Sequence, residues 1–254
     1  MISDAMLTQE YFDTMNSLDG DLAGKRSARA YMDQSSFIPR LYNDEVWERF
    51  RFISETIHTI LCKVIERYRN DESYRMVFDY DPRLVELILL PRGYDAILPF
   101  ARADIFLNED TLESAFCELN GDGSAGLNED REIVHSIEGS ETAAHHQLES
   151  CELFKSWVSE FIAIYETFKN KVAHPRFAIC DYLDVGVVDE FRIFSEYFKQ
   201  AGYECVIADV RDLSFDGTVL RDGNGQQIDA IWRRCVTNDV LEHWNESQEL
   251  ISAV

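Results

Sequence analysis

This sequence predicts a mixed fold of the α/β (α+β) class, on three observations. Two long segments carry apolar residues at helical spacing, one stretch alternates as a β-hairpin does, and one reads strand, helix, strand. The expected organisation is an N-terminal segment over 1–43, a helical region with a hairpin at 98–120 over 44–172, and a βαβ unit over 173–254.

Composition bounds the reading. At 254 residues, 46% hydrophobic and 28% charged, the chain is long enough for one large core or two modest ones. The net charge of −23 repels nucleic acid and anionic membranes, so neither is an expected partner. Six widely spread cysteines without a C-x-x-C pair make neither a zinc site nor a small disulfide scaffold, and several sit in apolar runs like buried free thiols. No apolar run reaches membrane-spanning length and no signal pattern opens the chain, so a cytoplasmic protein is expected.

In chain order, Leu7 to Leu18 reads as a short helix, followed by a loop at Gly20, Gly24 and Lys25-Arg26. Val46, Phe50, Ile53, Ile57, Ile60, Leu61, Val64 and Ile65 then mark a helix over about Asp44 to Arg69. His58 within it reads as a structural or surface residue. Arg69 to Pro82 reads as a polar connection, and Leu84 to Leu90 is too short to assign by period.

The hairpin follows. Side chains two apart in a strand share a face, so a register opposing Arg102 to Glu118 gathers Arg102, Asp104, Glu118 and Asn120 on one surface. One guanidinium, two carboxylates and an amide suit a phosphate and its Mg²⁺. They equally describe a half-solvated hairpin with an Arg–Glu cross-strand pair, and periodicity does not decide between the two. Asn120 to Gly126 misses the calcium-loop pattern at Ala125 and Arg131 and reads as a turn whose backbone amides approach an anion, with Asp122 and Ser124 in it.

Residues 127–149, with His135, His145 and His146, read as a mobile surface loop. Glu149 to Val172 is a second helix with an aromatic stripe, ended by His174-Pro175. Phe177 to Cys180, Val188 to Gln200 and Tyr203 to Ala208 then form a Rossmann-like βαβ unit with a parallel strand pair, but without a G-x-G-x-x-G turn. Turn signals at Asp216-Gly217 and Asp222 to Gly225 lead to Ile228–Trp232 and the pair Arg233-Arg234, which can bind an anion or pair with nearby acids. Asn238 or Asp239 caps an expected final helix from Val240 to Ala253.

R-x-D, a short turn, then E-x-N-G-D with small residues resembles the glutathionylspermidine synthase-like enzymes, which are circularly permuted ATP-grasp ligases. The segments Leu213–Gly217 and Asp229–Arg234 are similar to that family as well, so the resemblance covers roughly the last two-thirds of the chain. It implies that Arg102 contacts the transferring phosphate and is the catalytic residue, and that Asp104, Glu118 and Asn120 hold magnesium. It also implies substrate-binding roles for Asp122, Ser124, Arg233 and Arg234, and a pre-ATP-grasp role for the βαβ unit. The turn of the hairpin is longer than the family pattern, which bears most on Asp104.

The implied activity is ATP-dependent joining of a carboxylate to an amine, with Mg²⁺ as cofactor and ATP as substrate. The sequence ends at Val254 without the lysine and glycine-rich loop that clamp ATP in that family, so a truncated ATP-grasp with little activity of its own is expected. Two other classes fit the same residues: an acidic interaction module without catalysis, and a Rossmann-like small-molecule enzyme.

Overall fold

In the computed structural model, which describes residues 40–146 and 148–254, the first element is helix α1 (Asp44–Asn70). Asn43 caps it by accepting the Val46 N–H at 2.9 Å. Asp44 and Glu45 lie in its first turn and Arg67 and Arg69 in its last, complementing the helix dipole. Its apolar stripe buries Val46, Ile53 and Tyr68. The expected helix from Leu7 to Leu18 lies outside the described residues. The connection expected to be polar holds a one-turn helix, α2 (Glu72–Arg75), started by Asp71. The undecided apolar run is helix α3 (Pro82–Leu89), because Pro82 fits a first helical turn and Asp81 accepts the Arg83 N–H.

Strands β1 (Arg102–Leu107) and β2 (Ser114–Asn120) form a two-stranded antiparallel sheet. Asn108 organises the turn: its Oδ1 accepts N–H groups of Asp110 and Thr111, both at 3.0 Å. Arg49 of α1 donates to Ser114 Oγ at 3.1 Å, which fixes one side of the hairpin.

Residues 127–149 correct the expectation of a loop: they hold helices α4 (Leu127–Glu138) and α5 (Glu141–His146). The helix is specified by polar burial rather than by an apolar stripe. Asn128 and Glu132 are buried, and Glu190 accepts the first N–H groups of α4. The second long helix, α6 (Leu153–Glu166), is shorter than its apolar pattern. It ends where Lys171 folds back on its C-terminus, donating to Glu166 O at 2.7 Å.

The parallel sheet has strand order β4–β3–β8, formed by β3 (Arg176–Asp181), β4 (Glu204–Asp209) and β8 (Ala230–Arg233). Helix α7 (Val188–Gln200) connects β3 to β4 in sequence, as the strand–helix–strand pattern required. Both neighbours of β3 run parallel to it, and Phe177 to Cys180 are almost wholly buried. Between β4 and β8 lies a meander of two-residue strands, β5 (Ser214–Phe215), β6 (Leu220–Arg221) and β7 (Gln227–Ile228), turning at Asp216 and Asp222. In place of one final helix there are two, α8 (Thr237–Glu242) and α9 (Gln248–Ser252). Neither Asn238 nor Asp239 is the cap: Val236 holds that position, and no side chain at that position caps α8.

The described residues thus form a mixed α/β fold of helices and three small sheets. They divide into two compact units, with the boundary inside α6. One contains Ala125–Ser159 and Val187–Ala201, with Phe154, Phe191, Phe194 and Phe198 buried at its centre. The other contains Tyr42–Ser124, Glu160–Gly186 and Gly202–Val254, and its core includes Cys180, Tyr182, Val210, Leu213 and Cys235. Every residue of the candidate site belongs to this second unit.

Candidate functional site

The hairpin register opposes Arg102 to Asn120 and Asp104 to Glu118. This differs by two residues from the register expected from sequence. A shift of two preserves the face of every side chain, so the four polar groups still share one surface. The register steps by one between Asp104 and Ile105, leaving Cys117 as the extra residue of a bulge. Beyond that step the sequence alternation no longer predicts the partners: Ile105 opposes Phe116 and Phe106 opposes Ala115.

Within this face, Arg102 Nε donates to Asp104 Oδ1 at 2.9 Å, an ion pair of two half-exposed groups. Glu118 is exposed directly across from Asp104. The Asn120 Nδ2 atom is buried and has no hydrogen-bond partner among the described residues. Amide nitrogen and oxygen are interchangeable by a flip, so this side chain can equally present its oxygen to that position. Two carboxylates and an amide form an all-oxygen donor set of the kind Mg²⁺ prefers. Among the described residues no three His, Cys, Asp or Glu side chains converge as a metal cluster. Asp104, Glu118 and Asn120 are the groups on this face that could hold a divalent cation.

The turn after β2 leads directly to the carboxyl edge of the parallel sheet. Asp122 Oδ2 accepts the Thr237 N–H at 2.8 Å and the Thr237 hydroxyl at 2.7 Å, and Arg233 Nη2 lies 4.0 Å away. Burial alone would raise the Asp122 carboxyl, but the two Thr237 hydrogen bonds and the Arg233 charge hold it below its ordinary value. Gly123 sits at φ +57, and a Cβ there would run into Val236. Ser124 is half-buried in the same turn. Phe100, just before β1, stacks on Trp232 of β8 with ring centroids 5.8 Å apart.

The adjacent arginines face opposite ways, as consecutive residues at a strand end do. Arg233 is exposed, beside Asp122 and Thr237. Arg234 is buried, with its guanidinium 5.4 Å from the Trp232 ring and its charge acting on Asp181. The structure brings Arg233 to Asp122 and sets Arg234 into the sheet edge as a supporting cation.

Three groups went unnoticed in sequence. Asp181 and Asp209 end the paired strands β3 and β4, directly opposite one another. Asp181 is pushed up, first by burial, with Arg234 opposing the shift. Asp209 is lowered to about 2, chiefly by the bidentate Arg211 guanidinium at 2.8 and 2.6 Å. Thr237 is the third. The usable signal was positional: in open parallel sheets, polar residues at the carboxyl ends of strands face the ligand crevice.

No family model matches the chain, and no curated protein is similar to it in sequence. Among the described residues, no helix is long and apolar enough to cross a membrane.

Proposed function

We propose that this chain carries the magnesium–phosphate side of an ATP-dependent carboxylate–amine ligase of the ATP-grasp kind, similar to the glutathionylspermidine synthase-like family. One observation carries the reading: β1 and β2 pair so that Arg102, Asp104, Glu118 and Asn120 share one face, and the turn that follows reaches Arg233.

Asp104, Glu118 and Asn120 would hold the Mg²⁺, which supplies charge neutralisation on the phosphates of ATP. Arg102 donates to the phosphoryl oxygens as the group moves to the substrate carboxylate, exchanging its contact with Asp104 for one with the phosphate. The amine then attacks the acyl phosphate and phosphate leaves. Arg233 supplies the second cation, holding an anionic group of the substrate near the turn. Asp122 orients Arg233 and starts α8, and Ser124 and the turn amides line the same approach. Arg234 acts from beneath by balancing Asp181. Positioning and electrostatics suffice for this chemistry, so no nucleophile triad is needed.

The test is calorimetric titration of Mg²⁺·ADP into the chain and into Glu118→Ala. Magnesium-dependent binding that disappears in the variant supports the site. Binding that is absent, or unchanged in Glu118→Ala, removes the hairpin as the phosphate site.

A second reading is favoured by the far end of the hairpin. Phe106 is exposed there, at a shallow hollow of roughly 450 Å³ lined by Phe106, Leu107, Asn108, Glu113, Ser114 and Ala115. Such an apolar surface on an acidic chain suits a protein partner with basic residues around an apolar anchor. Binding to such a partner that survives Glu118→Ala and collapses with moderate salt would favour the interaction module.

A further inference from the structure

The thiol of Cys62 lies one helical turn from the His58 imidazole on α1, with Sγ 3.8 Å from Nδ1 and 3.7 Å from Nε2. The Nε2 atom is 3.3 Å from the backbone oxygen of Leu98, and a carbonyl can only accept. That contact assigns the imidazole proton to Nε2 and leaves Nδ1 as the basic nitrogen of a ring whose two nitrogens are almost equally far from the sulfur. Nucleophile, base and a third group that orients the base are thus in place, the arrangement that activates a thiol. His58 is exposed and Cys62 half-buried, so a small molecule reaches the sulfur.

The other cysteines set the contrast. Burial pushes the thiols of Cys180 and Cys205 up, the latter to about 12, and that of Cys235 to about 11. Cys117 and Cys151 are exposed, and each is followed in the chain by a glutamate.

We infer that Cys62 is a modification site: a nucleophilic thiol, with His58 as its base, that reacts with small peroxides. The thiol proton passes to Nδ1 and the sulfur attacks one peroxide oxygen. The O–O bond breaks, and the departing hydroxide takes the proton from His58 and leaves as water. The thiol is oxidised to a sulfenic acid and the peroxide is reduced. This site is separate from the hairpin and does not rest on the ligase reading.

The test treats the full chain with limiting hydrogen peroxide, traps sulfenic acid with dimedone, and follows each cysteine by peptide mass spectrometry. Cys62 is expected to react about fivefold faster than Cys117 and Cys151, which serve as internal references. In His58→Gln and in His58→Asn, each checked for unchanged helicity, its rate falls to theirs. A Cys62 rate equal to the references overturns the inference, as does an advantage that persists in both variants, since exposure alone would then explain it.

Discussion

Asp122 and Thr237 are joined by two hydrogen bonds across 115 residues of sequence, the Asp122 carboxylate accepting from both the amide and the hydroxyl of Thr237. Helix α8 has Val236 at its N-cap, which can cap nothing, so Asp122 supplies the acceptor from another part of the chain. One carboxylate therefore starts a helix, approaches Arg233, and holds the turn after the hairpin against the sheet edge.

Asp122→Ala should lower stability by about 1–2 kcal/mol, the range for losing a helix cap. Asp122→Asn keeps an acceptor oxygen and should lose less. Urea unfolding followed by circular dichroism reads both. A midpoint unchanged in Asp122→Ala would show that the contact does not hold the turn, and Asp122 would then serve only as a substrate ligand.

Gly123 and Gly126 separate backbone strain from steric conflict. Both have positive φ, but a Cβ at Gly123 meets Val236 and the Arg234 carbonyl, whereas at Gly126 it meets open space. Gly126→Ala should cost about 1 kcal/mol from strain alone, and Gly123→Ala clearly more, about 2–3 kcal/mol. The same melts decide it. Equal losses would mean that Val236 moves aside freely.

What could be read from the sequence was whatever repeats at short range. The stripe from Val46 to Ile65 announced α1 by its period, although only Val46 and Ile53 of it are buried, and the run Phe177 to Cys180 announced β3 because it is buried throughout. The shared face of Arg102, Asp104, Glu118 and Asn120 was legible because a two-residue register change preserves parity, although the pairing itself was not. The bulge at Cys117 left no local mark. Helices α4 and α5 were missed because their specification is polar and distant: Glu190, about sixty residues on, caps α4. Asp122 as the cap of α8 was hidden for the same reason, since nothing near Thr237 encodes it.

The Asp209–Arg211 pair predicts one part of the acid response. The Asp209 carboxyl, lowered to about 2 in the fold, ionises near its ordinary value of 3.8 when the chain unfolds. A depressed folded value stabilises above the unfolded one, so the contribution is complete above about pH 5 and is lost as pH falls toward 2. The Arg211 side chain is more than a third exposed, so solvent screens part of this effect. Asp209→Asn should flatten the stability–pH curve between pH 5 and 2. A variant curve parallel to that of the parent chain across this interval would exclude the pair as a contributor.

Glu190 makes the strongest demand on the first unit. Its side chain is fully buried, and its Oε2 accepts N–H groups of Gly126, Leu127 and Asn128 at 3.2, 2.9 and 3.3 Å. A buried carboxylate survives only with such partners, and the N-terminus of α4 adds the favourable end of a helix dipole. Glu190→Ala removes the acceptor and strands three buried or half-buried donors, so the expected cost is about 3 kcal/mol or more. Glu190→Gln keeps one oxygen of the same reach and gives up the charge-assisted part, for about 1–2 kcal/mol. Hydrogen exchange at the Leu127 and Asn128 amides gives the local readout: protection should fall steeply in Glu190→Ala and partly in Glu190→Gln. Global destabilisation with those two amides still protected would place the role of Glu190 in packing rather than in holding the start of α4.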